Sequence, residues 1–69
     1  MNIADGILQE RDRLTKIKEC VAEDWNKPEF FFYRAVWDNL MKRANEALGG
    51  HMDIIEMTAL CAEMQEFEA

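Results

Sequence analysis

Apolar residues recur every three or four positions in three separate stretches of the chain, and this periodicity constrains the fold more than any other feature. Side chains at that spacing lie on one face of an α-helix. The sequence therefore predicts an all-α fold with helices at about residues 3–24, 27–48 and 52–68. Because no repeat or linker interrupts the 69 residues, we treat 1–69 as a single small helical domain.

Residues typical of helix ends mark the predicted boundaries. Three polar pairs have the spacing of N-terminal caps: Asn2 with Asp5, Asn26 with Glu29, and Asp53 with Glu56. Pro28 is suited to the first turn of the second helix, where its missing N–H costs nothing. Gly49 and Gly50 then end this helix, since glycine readily adopts the left-handed conformation. The short link that follows predicts that the second and third helices form an antiparallel hairpin, with the first helix packed across it.

Each helix has an apolar stripe, and the stripes are the predicted core. The first stripe is thin: Ile3, Ile7, Leu14, Ile17 and Val21. The second is continuous: Phe30, Tyr33, Trp37, Leu40, Met41, Ala44 and Leu48, with Val36 and Ala47 at its border. The third contains Ile54, Met57, Leu60, Cys61, Met64 and Phe67. A chain this short forms only a marginal core, so packing or oligomerisation has to supplement it.

Three consecutive phenylalanines exceed what one helix face can hold. At about 100° per residue, Phe31 points roughly 100° and Phe32 roughly 160° away from Phe30. Trp25, in the preceding turn, can fold onto the same helix end. Three interpretations are open: the first helix covers all the rings, a second copy covers Phe31 and Phe32, or a different protein does. The thin stripe of the first helix counts against the first interpretation, and clustered exposed rings are typical of interfaces.

The charge distribution narrows the classes of partner. The net charge is −6, which argues against binding of nucleic acid or of an anionic membrane, since both require clustered Lys and Arg. From Asp53 onward the chain has five acids and no Lys or Arg. Glu56, Glu63 and Glu66 form an acidic face opposite the apolar stripe of the third helix. This face is either simply solvated or complementary to a basic surface, such as residues 11–18 of another copy.

Groups for catalysis are sparse. The chain contains no serine and a single histidine, His51, and Cys20 and Cys61 are predicted to be small core residues rather than nucleophiles. Their spacing with His51 matches no structural zinc site. We therefore expect no enzyme activity, catalytic residue, metal or cofactor. Because we find no signal peptide and no apolar stretch of membrane-spanning length, we expect a cytoplasmic protein with reduced thiols.

The sequence thus predicts a non-enzymatic, acidic protein-binding module that forms a homo-oligomer. It resembles no family that we can name; its size and charge are those of accessory or inhibitor proteins of phages and bacteria, which occupy a partner surface. The predicted contact residues are Trp25, Phe31, Phe32 and Arg34. The alternative is an oligomer that sequesters a small anionic, nucleotide-like ligand between subunits. In that case Arg34, Lys42 or Arg43 would meet the anion, and a ring would stack on the base.

Overall fold

A computed structural model describes residues 2–68 and contains three α-helices. They are α1 (Ile3–Cys20), α2 (Phe31–Leu48) and α3 (Ile54–Glu66), and a short 3-10 helix, Pro28–Phe30, precedes α2. The predicted all-α, three-helix fold is confirmed. The helices are shorter than predicted, and the physical reasons differ from one helix end to the next.

Two of the three predicted caps are present. The Asn2 side chain accepts a hydrogen bond of 2.9 Å from the Asp5 N–H, and the Asp53 side chain accepts one of 2.8 Å from the Glu56 N–H. The prediction for Asn26 is wrong, because the N-cap of the 3-10 helix is Lys27. Lys27 has an extended backbone, as expected for a residue that precedes proline. The chain therefore makes a 3-10 turn before α2 begins.

Helix α1 ends four residues before its predicted end. After Cys20, consecutive turns replace the helix, with hydrogen bonds between residues three apart, such as Asp24 N–H to the Val21 carbonyl (3.0 Å). These tighter turns redirect the chain and place the Trp25 ring 5.3 Å from the Trp37 ring, nearly perpendicular to it. Packing of Trp25 on α2 thus replaces the last turn that periodicity predicts for α1.

The Gly49-Gly50 pair ends α2 as predicted. Gly50 has a φ of 84°, a left-handed conformation that glycine adopts without steric cost. Its N–H donates to the Ala47 carbonyl (3.1 Å), and the His51 N–H donates to the Glu46 carbonyl (3.0 Å). These bonds satisfy carbonyls that the end of a helix otherwise leaves unpaired.

Contacts between helices establish their directions. The Trp37 indole N–H donates to the Leu14 carbonyl (2.8 Å), and Arg11 donates to Asn45 (2.8 Å), so α1 and α2 are antiparallel. The Tyr33 hydroxyl donates to the Glu68 carbonyl (2.9 Å), which joins the start of α2 to the end of α3. The predicted antiparallel hairpin is therefore present.

The core contains side chains from all three helices. Its buried members are Ile7, Leu14, Trp37, Leu40, Ala44, Ala47, Leu60, Cys61, Met64 and Phe67. Four predicted stripe residues of α2 lie half-buried at its edge: Phe30, Tyr33, Met41 and Leu48. Three predictions of burial are wrong. Val36, at the border of the α2 stripe, is 49% exposed, and the other two are Ile54 and Cys20. Ile54 is 66% exposed, because it is the first residue of α3 and lies next to the loop that follows α2. Cys20, the last residue of α1, is exposed.

Candidate functional site

The most exposed aromatic rings lie in the first turn of α2. Phe31 is 60% exposed and Phe32 is 80% exposed. Their ring centroids are 5.4 Å apart and their planes are nearly perpendicular, the edge-to-face geometry that aromatic pairs prefer. Val36, one turn after Phe32, is 49% exposed. We call these three side chains the aromatic patch. The interpretation in which the first helix covers all the rings is therefore wrong for this pair.

The neighbouring rings pack inward and explain why this pair is left outside. Tyr33 has Phe30 at 5.4 Å and Trp25 at 6.1 Å, both edge to face. On its other side, Tyr33 lies 4.7 Å from Phe67 at the end of α3, and burial raises the pKa of its phenol. Tyr33 is thus the centre of an internal cluster. The cluster occupies the side of α2 that faces the other helices, so Phe31 and Phe32 face away from it.

Trp25 and Arg34, also predicted as contact residues, are half-buried and contact the connecting loop and the internal rings. Trp25 is half-buried, and the Lys18 ammonium lies 5.0 Å from its ring centroid and 4.7 Å from that of Trp37. The Arg34 guanidinium donates to the carbonyls of Trp25 (2.6 Å) and Lys27 (2.8 Å). Arg34 thereby fastens the connecting loop onto α2. The structure brings Phe31 and Phe32 together, whereas Trp25 and Arg34 support the segment that precedes them.

A groove lies beside the patch, between α2 and α3, and we call it the α2–α3 groove. Its volume is about 520 Å³. It is lined by Ala35, Val36, Asn39 and Leu40 from α2 and by Glu63, Glu66 and Phe67 from the end of the chain. Leu40 and Phe67 are buried core residues, so the floor is apolar. Val36 belongs to both the groove and the aromatic patch, which makes the two surfaces continuous.

Two of the three predicted acidic residues line this groove. Glu63 accepts a hydrogen bond from Arg43 of α2, and this bond lowers the pKa of the Glu63 carboxyl below its ordinary value. Glu66 lies one turn further on and is exposed. Glu56, also exposed, belongs to the first turn of α3, away from the groove. Sequence reasoning identified the acids but missed the groove, because its two walls come from different helices.

Two of the three cations proposed for an anionic ligand already contact other groups of the same chain. The guanidinium of Arg34 binds two loop carbonyls, and that of Arg43 contacts Asn39 and Glu63. Lys42 is exposed. Within residues 2–68, no three His, Cys, Asp or Glu side chains lie close enough together to hold a metal ion. In the same part of the chain, no helix combines the length and apolar character needed to cross a membrane.

Comparisons with known proteins assign no relative. The sequence matches no protein-family model, and neither a curated protein nor a solved structure matches it significantly.

Proposed function

We propose that this protein is a small, non-enzymatic protein-binding module that docks through the aromatic patch. One observation carries the proposal: Phe32 is 80% exposed in a domain that at least half-buries every aromatic side chain except Phe31 and Phe32. Burying one phenylalanine ring contributes roughly 1.5–3 kcal/mol. A partner that covers both rings would therefore gain a large part of a typical interface energy from two residues.

The exposed pair adds nothing evident to the fold. Phe31 and Phe32 contact each other, while Trp25, Phe30 and Tyr33 form the internal cluster. Large exposed rings also promote aggregation of a small domain, so their presence requires a compensating role. Binding another protein chain supplies that role, and it suits an accessory or inhibitor protein of the cytoplasm.

The partner is either a second copy or a different protein, and the same patch serves both. Self-association would add buried area to a core that is marginal at this chain length. The alternative, sequestration of a small anion between subunits, has less support. It needs free cations beside a ring. Of the three candidates, Arg34 and Arg43 are already bound to groups of the same chain through their guanidiniums, and Lys42 is exposed, so one candidate remains instead of a cluster.

The test compares two double variants. Phe31→Ala/Phe32→Ala removes the patch. Ile54→Ala/Ile55→Ala is the matched control, because it removes an adjacent, exposed apolar pair from the first turn of α3. Circular dichroism first establishes that both variants keep their helices. Sedimentation equilibrium then measures self-association, and affinity capture from the host lysate measures binding of other proteins.

We expect the phenylalanine variant to lose self-association or capture while the isoleucine variant keeps it. The proposal is wrong if the wild-type protein is a monomer at high concentration and captures no protein. It is equally wrong if removal of both rings leaves all association intact.

A further inference from the structure

We propose that the α2–α3 groove binds a basic amphipathic helix of a different protein. This inference rests on the proposed function and names the partner class for the same surface. It follows from the shape of the groove, from the charge along its α3 wall, and from the contacts that already engage the basic residues of α1.

The shape favours a helix as the occupant. The groove lies between two antiparallel helices and has the buried side chains of Leu40 and Phe67 as its floor. Phe32 and Val36 continue the apolar surface along α2, one helical turn apart. A row of apolar side chains on a partner helix, spaced three and four residues apart, fits such a surface. Binding of a peptide by strand addition would instead need an unpaired strand edge, and residues 2–68 form no strand.

The charge favours a basic helix. Glu63 and Glu66 lie one turn apart on the α3 wall, and no Lys or Arg occurs after Arg43 in the sequence. Arg43 pairs with Glu63, which leaves Glu66 without an ion-pair partner within residues 2–68. A Lys or Arg on the partner would meet Glu66 while its apolar neighbours enter the groove. The net charge of −6 would also steer such a partner toward the surface.

Helix α1 of a second copy is poorly suited to act as the basic amphipathic helix in this groove. Most of α1's cations are already engaged: Arg11 with Asn45, Arg13 with carbonyls at the end of α3, and Lys18 with two indole rings. The apolar stripe of α1 is buried in the core through Ile7 and Leu14. To dock as a basic amphipathic helix on another copy, α1 would have to leave its own core. A foreign helix carries no such cost.

The experiment titrates the intact, isotope-labelled protein with two designed peptides of about 18 residues, a length at which a helix can form. One is an amphipathic leucine–lysine helix, and the other has glutamate in place of every lysine. Nuclear magnetic resonance locates the bound peptide through its effect on backbone amides. We expect the leucine–lysine peptide to shift amides of Val36, Asn39 and Glu66, and the leucine–glutamate peptide to leave them unchanged.

Two pairs of variants distinguish binding in the groove from nonspecific attraction of a basic peptide to an acidic protein. Glu66→Gln removes a charge at the groove, whereas Glu56→Gln removes the same charge ten residues earlier, about 15 Å along α3. Val36→Asn and Ile55→Asn make the corresponding apolar comparison. We expect Glu66→Gln to weaken binding about two- to fivefold, the range of one exposed ion pair, and Val36→Asn to weaken it at least as much. The two control variants should bind like the wild type.

Different experimental results would contradict the site, the partner class or the whole inference. If the lysine peptide shifts amides all over the acidic surface, or if Glu56→Gln weakens binding as much as Glu66→Gln, the groove is not the site and the inference is wrong. If the glutamate peptide occupies the groove equally well, the basic partner is wrong while docking at this surface stands. If neither peptide occupies the groove, the inference is wrong, whatever the oligomeric state. Self-association of the wild-type protein through Phe31 and Phe32 would then make a second copy the partner of the aromatic patch. The proposed function is retained in that case.

Discussion

At the scale of single residues, the two cysteines differ in burial, although the sequence predicts the same core role for both. Cys20 is exposed at the end of α1, whereas Cys61 is buried in α3, with its sulfur beside Gly6 of α1. Burial raises the pKa of the Cys61 thiol, and the negative charge of Glu10 raises it further. The thiolate is the reactive form of a cysteine. Cys61 therefore reacts slowly for two reasons: burial keeps reagents away from its sulfur, and its raised pKa keeps the thiol protonated.

We therefore predict that a thiol reagent such as Ellman's reagent modifies the two cysteines at very different rates at mildly alkaline pH. The folded wild-type protein should show one fast phase from Cys20, and Cys20→Ser should abolish it. Cys61→Ser should retain the fast phase, and denaturant should expose both thiols equally. A fast reaction of Cys61 in the folded Cys20→Ser variant would contradict this prediction.

The same pKa shift has a consequence for stability. A thiol whose pKa is raised by folding is more readily deprotonated in the unfolded chain. The contribution of Cys61 to stability is therefore complete below the ordinary thiol pKa and decreases as the pH rises through its raised value. The phenol of Tyr33 is half-buried, and this partial burial also raises its pKa, so it changes stability in the same direction at higher pH.

At the scale of the elements, Arg13 links the two helices that run parallel. From α1 it donates to the carbonyl of Met64 and to that of Phe67 (2.8 Å), while Glu10 holds it with an ion pair of 2.7 Å. The last carbonyls of a helix have no partners within the helix. Arg13 thus caps the end of α3 from outside and fixes where α3 lies along α1.

We predict that Arg13→Ala lowers the free energy of unfolding by about 1 kcal/mol, the usual net value of such hydrogen bonds at a partly exposed site. For a domain of this size that corresponds to a fall in melting temperature of roughly 4–8 °C. Urea unfolding followed by circular dichroism measures the change.

Arg11→Ala is the matched control for this prediction. It removes the same side chain from the same helix, but Arg11 makes a single exposed contact with Asn45. We expect its effect to be below about 0.5 kcal/mol. Equal losses for the two variants would show that Arg13 acts as a general surface charge rather than as a cap on α3.

At the scale of the whole molecule, a few large side chains hold the three helices together. Trp37 joins α2 to α1 and to the connecting loop: its indole N–H donates to the carbonyl of Leu14 in α1, and its ring packs against Trp25 of the loop and against the Lys18 ammonium of α1. A single core in a chain of this length rarely supplies more than about 3–5 kcal/mol. Loss of this one side chain is therefore comparable to the total stability.

We predict that Trp37→Ala abolishes the folded state at 25 °C, because truncating a buried aromatic side chain costs about 3–5 kcal/mol. Phe32→Ala removes another aromatic ring from the same helix but should keep the full helical signal, since Phe32 is exposed. Circular dichroism at 222 nm compares the two. A Phe32→Ala variant that unfolds would mean that the patch belongs to the core after all.

The sequence predicts those features of the molecule that depend on interactions within a few residues. Asn2, Asp53 and Gly50 act on backbone groups within a few residues, so their roles were predictable. The end of α1 was not, because a contact between Trp25 and Trp37 decides it. The groove was not predictable either, since Val36 and Glu66 come together only when α2 and α3 pack.

Local patterns in the sequence are enough to predict three helices with a hairpin and a run of three phenylalanines that exceeds one helix face. Periodicity and glycine conformation are properties of neighbouring residues, and no tertiary contact is needed to infer them. Three further features become visible only when the helices pack: Phe31 and Phe32 stay exposed, Arg34 turns back to the loop, and an acidic-walled groove adjoins the patch. The contacts of Arg34 span only seven and nine residues, but they form only once the loop has folded back onto α2. The exposure of the two rings and the groove depend on residues far apart in the chain, because the rest of the fold determines what lies near them.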